Sequence, residues 1–268
     1  MVLKKTFSAA AVGLALIASM PVQASTITNT NGTFGWTGFD WDSNGTAFTT
    51  GFAPTPGQAF TINAFAVATS VKDGATNVSL SSLDTNANGV DAGYEYTLNV
   101  LLNESVVSCT GAGSSCTFAI TGGTYRIFYD TAANANALAG SKGTGFLDGS
   151  LLLSGSVFAQ PGGTFTVSGT GGSGVVSLLG DVGYTNLSFI NPAQLNTTAS
   201  TTLQLGTAFT NSYVSPGGFD GALFSANNIV FQADANQSFS AVPEPASLAL
   251  FGIAMLAGGV ASRRRVKK

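Results

Sequence analysis

A chain of 268 residues that contains no histidine and is only 9% charged offers few of the side chains that enzymes use to move protons or hold metals. No Ser-His-Asp triad, Cys-His pair or histidine-based zinc or copper site can be assembled from it. The net charge of −3 has no basic stripe behind it in the body of the chain, which excludes a nucleic-acid footprint.

Residues 1–24 read as a secretory signal peptide with a short apolar helix. Lys4 and Lys5 give the positive start and Ala9 to Met20 the apolar run. Val22-Gln23-Ala24 supplies the small-x-small cleavage pattern, so Ser25 is the expected first residue of the mature protein.

The body, residues 25–241, is rich in Gly, Ser, Thr and Asn and carries most of the nineteen Phe residues. Short apolar or alternating runs, separated by Gly and Asn every roughly 8–15 residues, predict an all-β fold, a single β-sandwich or jelly-roll-like domain. The first run, Phe34 to Asp42, holds both tryptophans and reads as a buried strand, with sugar stacking as the alternative. Further strands are expected over Ala59–Ser70, Tyr94–Leu102, Ser105–Cys109, Cys116–Thr121, Thr124–Tyr129, Ser150–Phe158, Thr164–Ser168, Tyr184–Ile190, Thr201–Leu205 and Asn228–Gln232. Thr121-Gly122-Gly123-Thr124 reads as a hairpin turn, with other turns at Gly162-Gly163 and Gly171-Gly172. A helical turn over Ala132–Leu138 is the one helix candidate in the body.

Asp84 to Glu95 fits the spacing D-x-[DN]-x-[DN]-G-x5-E. Asp84, Asn86 and Asn88 would offer side-chain oxygens to calcium, Val90 its carbonyl, and Glu95 a closing carboxylate. The predicted strand flanks and Asp91 depart from the helical calcium loop, and Asx turns between strands account for the same residues. No cofactor is required, and calcium is the one candidate. Cys109 and Cys116, with six residues between them, are expected to form a disulfide across a hairpin in an oxidising compartment. No catalytic residue is assigned. Asp40, Asp42, Glu95, Glu104, Asp130 and Asp148 are available carboxylates, but their spacing singles out no acid-base pair.

Residues 242–268 form a three-part tail. Val242-Pro243-Glu244-Pro245 is stiff and extended, Ala246 to Ala261 is an uncharged apolar helix, and Arg263-Arg264-Arg265 begins a basic end. Sixteen helical residues span roughly 24 Å, short of a hydrocarbon core of about 30 Å. The basic end would stay in the cytoplasm while the apolar stretch holds the chain in the membrane for a time. With both ends removed, only Lys72, Arg126 and Lys142 remain against twelve acids, a net charge of −9.

This tail resembles the PEP-CTERM sorting signal of Gram-negative bacteria that make exopolysaccharide. The resemblance implies an exosortase as processing partner, transient membrane residence, and release to the cell surface or extracellular matrix. Phe39 to Phe52, Val107 to Thr110, Gly122 to Asp130 and Phe231 to Phe239 are similar to the flocculation-associated PEP-CTERM protein family. That resemblance implies a non-enzymatic role in flocculation or biofilm formation, with exopolysaccharide or the cell surface as partner and no catalytic residues. A polysaccharide-active enzyme using two carboxylates, or a calcium-dependent carbohydrate-binding module, are the alternatives.

Overall fold

Side-chain alternation in the long runs decides which way each strand faces. In β5 (Ala59–Asp73) Phe60, Ile62, Ala64, Ala66 and Ala68 share one face, and in β7 (Glu95–Thr110) Tyr96, Leu98, Val100, Leu102, Glu104 and Val106 do. The pairing register sets these faces against each other, with Ile62 opposite Leu102, Ala64 opposite Val100 and Ala66 opposite Leu98. The computed structural model describes residues 24–90, 93–111, 115–210, 212–225 and 228–242, with isolated positions 252 and 255.

The sheet closes on itself. β3 (Gly38–Trp41) and β4 (Gly45–Thr50) run in line as one stave beside β5, which pairs with β7, and β7 with β8 (Ser115–Asp130). β9 (Ser150–Val157) and β10 (Gln160–Ser168) form the next stave, each pairing with a different half of β8. β11 (Gly171–Asp181), β14 (Gln194–Gly206) and β17 (Ile229–Ala241) follow, every pair antiparallel, and β17 returns to β3 and β4. The result is an eight-stave up-and-down barrel in which each stave pairs with its sequence neighbours and the last pairs with the first. The expected sandwich is therefore corrected. Alternation reports only an inner and an outer face, which both architectures share, whereas the seam from β17 to β3 and β4 removes the free edges a sandwich would keep.

Two further layers cover this barrel. β1 (Thr26–Asn29), β2 (Gly32–Gly35) and β13 (Ile190–Asn191) form a small sheet at one end. There the Asn29 amide donates to the hydroxyls of Tyr94 and Tyr96 at 3.0 and 3.2 Å, and the Thr30 N–H donates to Tyr129 Oη. Ile27 and Trp36 are completely buried with these rings. On the outside of β5, Phe65 and Val67 are covered by the segments 131–149 and 212–224. Phe65 meets Phe146 and Phe219 at ring distances of 4.8 and 4.3 Å. The short β15 (Gly218–Phe219) and β16 (Ala222–Leu223) make a hairpin in the second segment. β6 (Thr76–Val78) and β12 (Tyr184–Thr185) extend β5 and β9.

Several predicted boundaries move. Thr121–Thr124 is no hairpin turn: β8 continues through it, with a register shift where Asn103 and Glu104 face Gly122 and Ile120. Ser105–Cys109 is likewise one strand with Tyr94–Leu102. Gly162-Gly163 lies at a bulge inside β10, and Gly171-Gly172 opens β11. Tyr184–Ile190 supplies only β12 and the start of β13. Ala132–Leu138 is not helical, and the Asp130 and Asn136 side chains each accept an N–H from two residues on. The signal-peptide helix lies outside the described residues, and of the expected tail helix only Gly252 and Met255 are described. Among the described residues, every strand and both apolar clusters lie within the unit Ser25–Ala241.

Candidate functional site

The barrel interior is aromatic at its two ends and thin in the middle. Ala47, Ala64, Ala66, Ala233, Ala235 and Thr201 face Leu98, Val100, Val176, Leu178 and Leu203 around a void of about 60 Å³. Alanines on β5 and β17 cannot span to the leucines and valines opposite, so space remains. A second void of about 40 Å³ adjoins it toward Trp41, Tyr125 and Gln237. There the Trp41 Nε1–H donates to Gln237 Oε1 at 3.2 Å, and the Gln237 amide donates to Thr197 Oγ1 at 3.0 Å. A third void, about 70 Å³, lies toward the opposite end among Phe52, Phe60, Phe118, Phe165 and Phe231. The 60 Å³ void shares Ile62, Val176 and Leu203 with the 70 Å³ void and Leu98, Val100 and Ala235 with the 40 Å³ one, so the three follow one another down the barrel.

Glu104 interrupts this apolar lining. Its place in the alternation of β7 turns it inward, where it is 1% exposed and stands directly opposite Phe60 on β5 and Ile120 on β8. Its Oε1 is buried without a hydrogen-bond partner, and the carboxyl lines the 70 Å³ void. Burial pushes its pKa up to about 7, because an apolar wall disfavours the charged form. Glu104 was among the available carboxylates in the sequence, but the expected break in the strand at Asn103-Glu104 hid its orientation. The signal that could have found it is the unbroken run Leu98, Val100, Leu102, Glu104, Val106.

The calcium-type loop is held by local bonds and by the Ala137 N–H, which donates to the Ala87 carbonyl at 2.7 Å. The Asn86 N–H donates to Asp84 Oδ1 and the Val90 N–H to Asn88 Oδ1, two Asx turns. Gly89 has a φ of +78°, and Val90 is 81% exposed. Glu95 is fully buried and turned to another segment, where its carboxylate accepts the Ala135 N–H at 3.0 Å and the Asn134 N–H at 3.2 Å. Burial pushes its pKa up to about 8 against those donors, and Asp84 and Asp130 add to the rise. Among the described residues no group of three or more Asp, Glu, Cys or His side chains could hold a metal ion.

Cys109 and Cys116 are bonded to each other as expected, at opposed positions of β7 and β8 with Cα atoms 4.1 Å apart. Trp36 and Trp41 are 0% and 2% exposed, so the first aromatic run is core and presents no stacking platform to solvent. The other carboxylates divide by place. Asp130 accepts the Ala132 N–H, and Asp148 accepts from the Asn134 amide. Asp40, Asp42 and Asp234 lie where the β3–β4 stave bulges beside β17. Burial and then the Asp234 charge raise Asp42, after a backbone donor from Asn44 is set against them, while burial and Asp40 raise Asp234. Asp234 was not singled out in the sequence, and only the pairing of β17 with β3 and β4, which sets Asn236 opposite Asp40 and Ala233 opposite Gly45, brings it beside this group. It lines a polar pocket of about 130 Å³ with Ser43, Thr202, Gln204, Thr210 and Gln232.

The sorting residues fall at the far end of the chain. β17 stops at Ala241, and Val242 is 39% exposed. Pro243, Glu244, Pro245 and Arg263 to Arg265 lie outside the described residues. No curated protein and no solved structure matches the chain. Residues 241–265 match the family model described as the PEP-CTERM protein-sorting motif. That match, following directly on the last strand of the barrel, implies a PEP-CTERM protein, exported and processed by an exosortase.

Proposed function

We propose that the chain is a non-enzymatic surface or matrix protein that promotes flocculation or biofilm formation by associating with exopolysaccharide or with other cells. The observation that carries this reading is the sorting motif at residues 241–265, which implies delivery of the barrel beyond the inner membrane. The outer face of the barrel supports it. Ser177, Ser200 and Asn236 stand in one cross-strand row, and Thr198 pairs with Ser238 and Thr202 with Asp234 in neighbouring rows. Such rows offer hydroxyls, amides and carboxylates at strand spacing to the hydroxyls of a glycan. They also differ from the apolar outer band of a barrel that faces lipid. The flocculation-associated resemblance of Phe39–Phe52 and Phe231–Phe239 points the same way, and these segments contribute to the closing seam and the staves beside it.

Deletion with complementation tests the role. A strain lacking the protein should make its polysaccharide but flocculate poorly, and the intact gene should restore settling; normal flocculation in the deletion strain overturns the proposal. Replacing Pro243-Glu244-Pro245 by alanines should leave an unprocessed chain in the inner-membrane fraction on immunoblots. The carboxylate-enzyme alternative is favoured by Asp42 and Asp234 near the polar pocket. Release of reducing sugar from the matrix by the purified barrel, lost in Asp42→Asn or Asp234→Asn, would replace the non-enzymatic reading with that one.

A further inference from the structure

We propose that the barrel interior is a binding site for one small aliphatic molecule with a terminal hydroxyl, its chain along the alanine-lined axis and its hydroxyl on the Glu104 carboxyl. Three observations meet here. First, the voids of about 70, 60 and 40 Å³ adjoin one another in a line, and together they exceed the ~150 Å³ that suffices for benzene in an apolar core. Second, their walls are almost wholly apolar, so water gains little there, whereas a hydrocarbon chain recovers contacts the alanines do not make. Third, Glu104 is buried, inward-facing and without a hydrogen-bond partner on Oε1, beside the largest of the three voids.

A buried carboxyl oxygen without a partner costs stability. An apolar side chain at position 104 would fit the pattern of Leu102 and Val106 without that cost. A hydroxyl placed against Oε1 supplies the missing donor, and burial favours the neutral form of the carboxyl, which needs no cation for balance. A few polar groups converging on an otherwise apolar cavity is the usual make-up of a small-molecule site. Eight staves enclose room for side chains or for one small ligand, and the run of alanines leaves the latter. The way in lies at the disulfide end, where Val167 is 36% exposed and Phe52 is only partly buried, since the other end is covered by the β1–β2–β13 sheet. This site is independent of any contact the outer face makes with glycan.

The test uses the barrel unit Ser25–Ala241 with 1-octanol and octane as paired probes, followed by methyl NMR of Ile62, Leu98, Val176 and Leu203. Octanol should shift these methyls and bind at least tenfold more tightly than octane. Ala235→Leu, which fills the two inner voids, should weaken both probes by tenfold or more. Glu104→Leu should remove the preference for octanol while leaving octane within about twofold, and Glu104→Gln should retain part of it. Absence of methyl shifts with either probe in the wild-type barrel overturns the site whatever the variants do. Equal affinity of the two probes in the wild type, or an unchanged preference in Glu104→Leu, overturns the role of Glu104. Shifts that survive Ala235→Leu place the probe outside the cavity and overturn the proposal as well.

Discussion

At the scale of single residues, Glu104 makes stability depend on pH in an uncommon direction for an acidic protein. Its folded pKa of about 7 lies above the usual carboxyl value of 4.5, and Glu95 behaves alike with a value of about 8. Between the unfolded and folded values the native state holds more protons than the unfolded chain, so stability falls as pH rises. The contribution of the neutral carboxyls is complete below about pH 4.5, is lost progressively through pH 7 to 8, and then levels off. Chemical denaturation should therefore give a higher midpoint at pH 4.5 than at pH 8. Glu104→Leu should flatten the part of this profile below pH 7 and raise stability at pH 8, by about 3 kcal/mol. A midpoint that rises toward pH 8 in the wild type would show that Glu104 is charged in the fold. The disulfide acts on a smaller region. Cys109 and Cys116 close a short ring, so replacing both with Ser should cost about 2.5 kcal/mol in urea unfolding through loop entropy. The fold should survive, because β7 and β8 pair along nearly their full length.

At the scale of elements, the sequence was most readable where large side chains alternate. β5 and the first half of β7 follow that pattern, and their expected strands begin within a residue of the observed ones, while β9 was legible from its apolar run Leu151-Leu152-Leu153. β11 went unrecognised because its first half, Gly171-Gly172-Ser173-Gly174, has the composition of a turn. In the barrel those glycines make room for a neighbour. A Cβ on Gly174 would come within 2.6 Å of the Phe165 ring and one on Gly172 within 2.7 Å, so β11 gives up side chains to admit an aromatic from β10. That trade is set by partners far along the chain and leaves no local periodicity. The calcium-type loop shows the converse. Its residues match a ligand spacing in one dimension, yet Glu95 belongs to β7 and faces the 134–135 backbone. The closing seam is equally non-local, and Gly38 tests it. A Cβ there would stand 2.0 Å from the Gln237 carbonyl oxygen, in the register that joins β3 to β17. Gly38→Val should cost about 3 kcal/mol as an overpacked contact and should speed hydrogen exchange in β3 and β17 before the rest of the barrel. Unchanged exchange in those strands would mean that β3 is dispensable for closure.

At the scale of the whole molecule, the barrel separates its chemistry into an apolar inside, a hydroxyl-rich outside and a detachable sorting tail. Charge follows the same division, since residues 25–241 carry a net charge of −9 with three scattered cations and the basic clusters lie at the two ends. Closure predicts that the barrel stands without the tail: each stave is already paired on both sides within Ser25–Ala241, and both apolar clusters lie there too. The end of the barrel and the start of the motif nearly coincide, with β17 ending at Ala241 and the motif match beginning there. A chain from Ser25 to Val242 should therefore melt cooperatively and keep its full strand content by circular dichroism. A chain stopped at Ala235 should not. It loses Asn236 to Ala241, and with them every β17–β3 pair and the half of the β14–β17 ladder that carries Gln237 and Phe239. Gln237 bonds both Trp41 and Thr197, and Phe239 stacks on Trp36 at 5.1 Å, so the cut also uncovers the most aromatic part of the core. The shorter chain should expose apolar surface to a dye such as anilinonaphthalene sulfonate and associate through its opened edges. If both chains melt alike, the seam contributes little and the eight staves hold as an open sheet.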